Sequence, residues 1–478
     1  MQAPLILSVS LVLFIFVTSL PGPRDWLLAI TSRKKNSFFI IFPLIIVFLG
    51  STEGAQLNAL WTDIPRMVRA FFTSLLFVLS ITNILQNTNS WKFAGTGGRW
   101  IIYFFLYCTL SAAWSLNPII SGWKGFESVT LALSALSVAH TLKKEEDIKW
   151  LLNVISACLL FLALTVICGF ILFPSEATII PENAQYFAVR GLVPIMNPAS
   201  IGSLAGLLLV CAFSSTVVSK GHKNVKSNFG FWLVACIAVT NMLLGHSRTP
   251  IFAALIAIMA ILFFAKKSKQ VLIVGVTGGL ILTATSAIEF VLNYMYRGQT
   301  VEAFTSLTGR LNFWERDVFD LIASSPIIGS GYYAAFRSSF NVGSVDNSYL
   351  AVITGVGFLG LVIFLVPIIY AGLNILRSRI RKREITQRDS YWLTLLGMSG
   401  IIFIRSLTGT SIEVMHPLLI VHMVLQLGVA AIIRINNSKS ASNEVINNIA
   451  DNSTSTITEA CILKKRPSSI LHVKNNKK

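Results

Sequence analysis

Apolar runs about as long as a lipid bilayer is thick alternate with short polar connections along most of this chain. They fall near residues 3–20, 37–51, 69–85, 100–115, 125–141, 150–173, 198–218, 229–245, 250–266, 270–288, 348–373, 391–407 and 417–434. The pattern predicts thirteen membrane-spanning helices, or twelve if the short second run is discounted. The period-two alternation of a membrane barrel is absent, so helices must satisfy the backbone. The expected fold is therefore all-α: a polytopic transmembrane domain over 1–435 with about 12–13 helices. A stretch over 436–478 rich in Asn, Ser and Lys, without apolar periodicity, reads as a disordered basic tail. One connection, 289–347, is far longer and more polar than the others. It holds Arg310 at the head of a predicted helix, a glycine-rich turn (Gly329, Gly331), and Asp-Asn-Ser-Tyr-Leu leading into the next span.

Composition supports this reading. Of 478 residues, 54% are hydrophobic and 13% charged, against about 25% charged in soluble domains. The net charge of +18 is carried by loops and tail rather than by a nucleic-acid-binding face. One alternating set of connections, with the tail, holds 29 of the 39 Lys and Arg residues and the other set nine, leaving Arg405 inside a span. The positive-inside rule makes the first set cytoplasmic, so the 289–347 loop and the tight Gly-His-Ser-Arg-Thr-Pro connection face outward. Five of the six cysteines lie inside apolar runs and none forms a CxxC pair, which excludes a disulfide framework or a zinc site of that type. The first twenty residues lack a basic leader and a small-residue cleavage site, and read as an uncleaved span.

Three of the outward cations occupy marked positions: Arg190, Arg248 and Arg310. Arg248 opens a span, with Pro250 suited to its first turn. After Arg310, the spacing of Leu311, Trp314, Val318, Leu321 and Ile322 predicts an amphipathic helix with one face on the membrane. Forked guanidinium groups suit phosphate oxygens, so such arginines together fit a lipid-linked phosphate or pyrophosphate. A lone interfacial arginine more often meets phospholipid headgroups. Asp346 can accept a proton from an attacking hydroxyl, but Asp346 or Asn347 can equally cap the next helix. His246 is a weaker candidate as base or phosphate ligand, and Glu413 and His416 share a short outward loop without metal-ligand spacing. Asp317 and Asp320 fall on the solvated face of the loop helix. Walker, HExxH and GxSxG sequences are missing, and no internal repeat suggests a transporter's inverted halves.

These signals resemble the O-antigen ligase and polysaccharide polymerase superfamily of bacterial inner-membrane proteins. The resemblance rests on Ser-Ala-Ala-Trp-Ser-Leu-Asn-Pro before Lys124, on Val-Arg-Gly-Leu-Val-Pro-Ile-Met-Asn-Pro around Arg190, and on Ser-Arg-Thr at Arg248. It is sharpest from Gly309-Arg310 through the Pro326-x-x-Gly-x-Gly turn to Asn347-Ser-Tyr-Leu and the glycines of the following span. What it implies is a metal-independent, inverting glycosyltransferase on the outer face of the inner membrane, needing no cofactor. Its donor would be a glycan on undecaprenyl pyrophosphate, and its acceptor a glycan or lipid hydroxyl. By motif match, Arg248 and Arg310 would hold the pyrophosphate, with Asp346 as the third catalytic candidate. Arg190, Lys124, His246, Trp314 and Asn347 complete the set as substrate-binding residues. Ligases of the family commonly carry a histidine where this chain has Asp346, which shifts the expectation towards a polymerase joining repeat units. Membrane lipids and a chain-length regulator are the further expected partners, and nucleic acid is not. A ligase acting on lipid A–core is the alternative. A flippase, the reading from another class, would require charged residues spread through the spans.

Overall fold

A computed structural model describes residues 2–48, 64–180, 187–219, 225–265, 310–334, 345–380, 387–409, 412–413 and 416–438. The expected span 270–288, most of the 289–347 loop outside 310–334, and the tail beyond 438 lie outside the described residues. By compactness the chain divides into two units, Met1–Ala431 and Ile432–Lys478; the second is described only in the last residues of its leading helix.

The described secondary structure is helical apart from one two-stranded hairpin, Thr178–Ile179 with Ala188–Val189. In chain order the helices are α1 (Gln2–Ser19), α2 (Arg24–Ser32), α3 (Lys34–Phe48), α4 (Ile64–Gln86), α5 (Asn89–Phe93), α6 (Gly95–Leu110), α7 (Pro118–Ser137) and α8 (Glu145–Leu172). There follow α9 (Pro174–Ala177), α10 (Pro198–Ser219), α11 (Val225–Leu244), α12 (Arg248–Phe264), α13 (310–324), α14 (Ser348–Ile380), α15 (Gln387–Thr408) and α16 (Pro417–Ser438). Among the described residues, six helices are long and apolar enough to cross a membrane: α4, α8, α10, α14, α15 and α16. The pair α1–α2, bent by 109°, makes a seventh if it counts as one span. The runs expected near 37–51, 100–115, 125–141, 229–245 and 250–266 appear as the shorter or more polar helices α3, α6, α7, α11 and α12. This is a multi-pass, all-α membrane protein.

Burial grades outward as it must when the solvent is lipid. Leu418, Leu419, Val421, Val424 and Leu427 of α16 have no accessible surface, whereas α4 leaves Phe71, Val78 and Leu85 exposed to the apolar phase. Among the helices, α10 packs on α11, α12 and α15, and α6 packs on α7 and α14. Small residues allow the close approaches: a Cβ on Gly202 would stand 3.0 Å from the Pro250 ring, so α10 and α12 touch there almost backbone to backbone.

The decisive local feature is a break in α14. Gly357 takes φ +70° and ψ −174°, outside helical space. An intact helix would pair the amides of Phe358 and Leu359 with the carbonyls of Thr354 and Gly355. Here Ser330 and Gly331 donate to those two carbonyls at 3.0 and 2.9 Å. The two freed amides donate instead to the carbonyls of Pro326 and Ile327, at 2.9 and 3.2 Å. Two helical bonds are thus exchanged for four to the Pro-Ile-Ile-Gly-Ser-Gly turn, and none of those four groups on α14 is left bare in a low-dielectric region. A third segment closes the other side. Leu116 donates its amide to the Ser330 carbonyl at 3.1 Å, the Trp114 indole donates to the Ile328 carbonyl at 3.1 Å, and the Tyr332 amide donates to Ser111 Oγ at 2.9 Å.

Only glycine fits at the centre of this interlock. A Cβ on Gly357 would lie 2.1 Å from the Ile327 carbonyl oxygen, and one on Gly329, at φ +69°, 2.5 Å from the Gly355 carbonyl carbon. Gly357→Ala combines a left-handed backbone with a clash against main chain, and should cost about 2 kcal/mol or more. Gly372→Ala, on the same helix with nothing within 4 Å, serves as the neutral control. Thermal unfolding of the two variants in detergent should separate them by several degrees.

Candidate active site

Helix α15 ends beside the start of α14 with carbonyls that have no intrahelical partner. The residues entering α14 satisfy them: Asn347 Nδ2 donates to the Leu407 carbonyl at 2.9 Å, and Ser348 Oγ to the Gly409 carbonyl at 3.0 Å. Between them, the Thr408 carbonyl accepts from two guanidinium groups, Arg310 Nη1 and Arg405 Nη1, each at 3.2 Å. Asn347 also caps α14, its Oδ1 accepting from the amides of Tyr349 at 2.9 Å and Leu350 at 3.0 Å. The choice between Asp346 and Asn347 as cap therefore falls on Asn347. Asp346 is turned aside at φ +55°, and its carboxylate faces Arg310 Nη2 at 3.1 Å.

The helix carrying Arg310 is seated on protein. Val318, Val345 and Ala351 form a small core with Phe313, Trp314, Ile322 and Leu350, and the Trp314 indole donates to the Val345 carbonyl at 2.9 Å. The expectation that this apolar face lies on the membrane is thus corrected: α14 covers Trp314, Val318 and Ile322, while Leu311 and Phe319 remain exposed. A π-helical turn at Trp314–Val318 adjusts the face to its seat. Trp314 acts as a brace holding the backbone beside Asp346. Of the acidic residues on the helix, Asp317 pairs with Arg316 at 2.8 Å.

A second group surrounds Lys124. Its ammonium pairs with Glu127 at 2.8 Å and lies 5.7 Å from the centre of the Tyr333 ring. Glu127 is 1% exposed and also binds Arg69 at 2.8 Å, so two cations share one buried carboxylate. Arg69 was legible only as an outward basic residue at the start of a run; nothing in its neighbours announces Glu127. The third group holds Arg190, His246 and Arg248. Arg190 leaves the hairpin with its Nε donating to the Glu176 carbonyl at 3.2 Å, and Phe187 of the hairpin meets the His246 ring edge-on at 6.3 Å. His246, at φ +44°, follows α11, and Arg248 begins α12 two residues later.

Contacts run from group to group. The buried Tyr332 hydroxyl donates to the Glu413 carbonyl and lies 3.3 Å from Ser128 Oγ, one residue from Glu127. Burial pushes the Tyr332 phenol well above its ordinary value, so it remains a donor at neutral pH. Beyond Glu413, His416 reaches Ser200 on α10, which packs on the helix of Arg248. Among the described residues, no cluster of His, Cys, Asp and Glu side chains could hold a metal ion.

Residues 233–365 match a family model described as O-antigen ligase. Over 350 residues the chain is 22% identical to the exopolysaccharide production protein ExoQ of Rhizobium meliloti (strain 1021), covering 66% of this chain and 73% of that protein. Both matches make the chain similar to O-antigen ligases and exopolysaccharide production proteins. The matched segment contains Arg248, Arg310, Asp346 and the Gly329–Gly357 interlock. Lys124, Arg190, Arg405, Glu413 and His416 lie outside it. Its coarse role follows: polysaccharide assembly of the polymerase or ligase type.

His416 fixes the start of α16. Its Nδ1 accepts from the Leu418 amide at 3.1 Å, which leaves Nε2 as the protonated nitrogen, donating to Ser200 Oγ at 2.9 Å. The residue keeps some open surface, yet both ring nitrogens are engaged by protein. Burial, helped by the nearby Arg405 charge, pushes the imidazole down to about 3. An unfolded histidine takes up its proton near pH 6.5. Between those values the unfolded chain binds the extra proton, so stability declines as pH falls from about 6.5 towards 3 and rises with pH across that window. Melting temperatures measured from pH 7 to 4 should drop, and His416→Gln should flatten the profile.

Proposed function

We propose that the protein is a polysaccharide polymerase that transfers glycan repeat units from undecaprenyl pyrophosphate to a hydroxyl of an acceptor glycan. The transfer is metal-independent, inverts the anomeric carbon, and takes place at the periplasmic face of the inner membrane, with the tail in the cytoplasm. The observation that carries this reading is the Arg310–Asp346 pair. A cation anchored on the Thr408 carbonyl, yet with 37% of its side chain exposed, stands 3.1 Å from the Asp346 carboxylate.

The chemistry needs both charges. The acceptor oxygen forms a bond to the anomeric carbon while the bond from that carbon to the pyrophosphate oxygen breaks, its electron pair leaving with the phosphate. Arg310, with Arg248 as its partner from α12, stabilises the charge that develops on the leaving group. A phosphate bound at Arg310 takes the place of Asp346 in the ion pair. The released carboxylate then accepts the proton of the attacking hydroxyl. Lys124, Arg190 and His246 line the approach of the remaining substrate. A chain-length regulator is the expected protein partner. The description of the matched family model favours, as a second reading, a ligase that moves finished glycan to lipid A–core or another acceptor.

The deciding experiment is the glycan profile of cells that lack this chain. Single repeat units persisting while long chains vanish support the polymerase. Long chains accumulating on undecaprenyl pyrophosphate assign the ligase, and an unchanged profile returns the question to a flippase. Arg310→Lys keeps the charge but loses the fork, and should reduce polymer about 10- to 100-fold, the equivalent of one charge-assisted bond. Asp346→Asn should keep the fold and lower the rate, because Asn347 carries the cap; an Asn variant of full activity removes Asp346 as base. Membranes treated with EDTA should retain transfer.

A further inference from the structure

Arg405 is a buried cation that its surroundings do not complete. It sits in the last turn of α15 at 5% exposure, inside a membrane-crossing segment. Its Nη1 donates to the Thr408 carbonyl, an ordinary way for an arginine to cap its own helix. That bond accounts for one of five donors. The Nε is buried without a hydrogen-bond partner among the described residues. Asp346 and Glu413 lie within electrostatic reach, but so does the second cation, Arg310. Placing an under-coordinated guanidinium beside another of the same charge, in a low-dielectric region, is costly unless something else completes it. Capping alone would be served equally well by an exposed lysine or arginine.

The local backbone is shaped to keep it there. A Cβ on Gly409 would fall 1.6 Å from Arg405 Nη1 and 2.3 Å from its Cζ, so the guanidinium lies flat over a residue with no side chain. Arg310 and Arg405 converge on a single carbonyl oxygen from two different helices, α13 and α15. Two forks held about one acceptor present their remaining donors to one small volume, a geometry suited to a doubly charged phosphate group.

We propose that Arg405 and Arg310 form a two-guanidinium cradle for the phosphate of the lipid-linked substrate, with Gly409 as the residue that lets Arg405 take its place. Arg405 is then a second phosphate contact for the reaction proposed above, and the inference rests on that reading. The ligand closes the unmet donors of Arg405 and offsets the repulsion between the two cations. No bond is made or broken at Arg405 itself.

The test uses the full chain in nanodiscs of zwitterionic lipid, titrated with undecaprenyl pyrophosphate, and measures affinity and ligand-free thermal stability side by side. Wild-type protein should bind. Arg405→Met should weaken binding at least tenfold while leaving ligand-free stability equal or higher, since an incompletely paired buried charge has been removed. Gly409→Ala, which keeps both charges and displaces the guanidinium, should weaken binding in the same direction. Arg405→Lys should recover part of the affinity without the fork. Phosphatidylglycerol in the nanodisc should not displace the pyrophosphate. Unchanged affinity in Arg405→Met with normal binding by wild type overturns the cradle alone. A loss of affinity that merely tracks a fall in ligand-free stability assigns Arg405 to helix capping. Equal competition by phosphatidylglycerol reduces the site to a headgroup contact. Wild-type protein that binds no undecaprenyl pyrophosphate overturns the donor assignment itself.

Discussion

Four backbone hydrogen bonds across the break at Gly357 hold the 326–331 turn against α14. A helix interrupted within a span exposes amides and carbonyls that lipid cannot satisfy. The turn 326–331 supplies what is missing, donor for donor and acceptor for acceptor. Because both partners are main chain, the match depends on position rather than on side-chain identity, apart from the glycines that permit the approach. The first residues of α14 are thereby set off from the rest of that helix and bound to a loop from elsewhere in the sequence. Ser111, Trp114 and Leu116 bind the same turn from the opposite side, so α6 and α7 share the anchor.

The charged groups depend on that anchor. With the start of α14 fixed, Asn347 and Ser348 can cap the end of α15 while Asn347 caps its own helix. This two-way capping is carried by Asn347, while Asp346 beside it faces Arg310. The same arrangement draws Arg310 and Arg405 onto one carbonyl. A concentration of cations at the end of α15 suits the negative end of the helix dipole. Two guanidinium groups on one oxygen exceed what capping requires, and that excess is where binding of an anionic substrate has most to gain.

Much of the fold was legible because the bilayer simplifies the code. Apolar runs of spanning length require no knowledge of neighbours. Arg310, Gly329, Gly331 and the Asp-Asn-Ser sequence stood out because polar and glycine residues are conspicuous against an apolar background. The weaker points share one cause. The face of Trp314, Val318 and Ile322 looks the same whether lipid or another helix covers it, since both are apolar; α14 covers it. Helices α6, α7 and α12 are shorter or more polar than a membrane-crossing segment needs, and hydropathy measures composition without packing.

The sequence by itself determined the class of the protein, the order of its motifs and the identity of its marked charged residues. These follow from local composition and spacing, which act before the chain has folded. Only the tertiary structure decided which of those residues meet. It separated Asn347 from Asp346 by backbone conformation and paired Lys124 with Glu127 and Arg69. It also brought Arg405 from within a span to the Thr408 carbonyl that Arg310 approaches from α13. Such pairings depend on distances between segments far apart in sequence, which are fixed only when glycine contacts and exchanged hydrogen bonds lock the helices together.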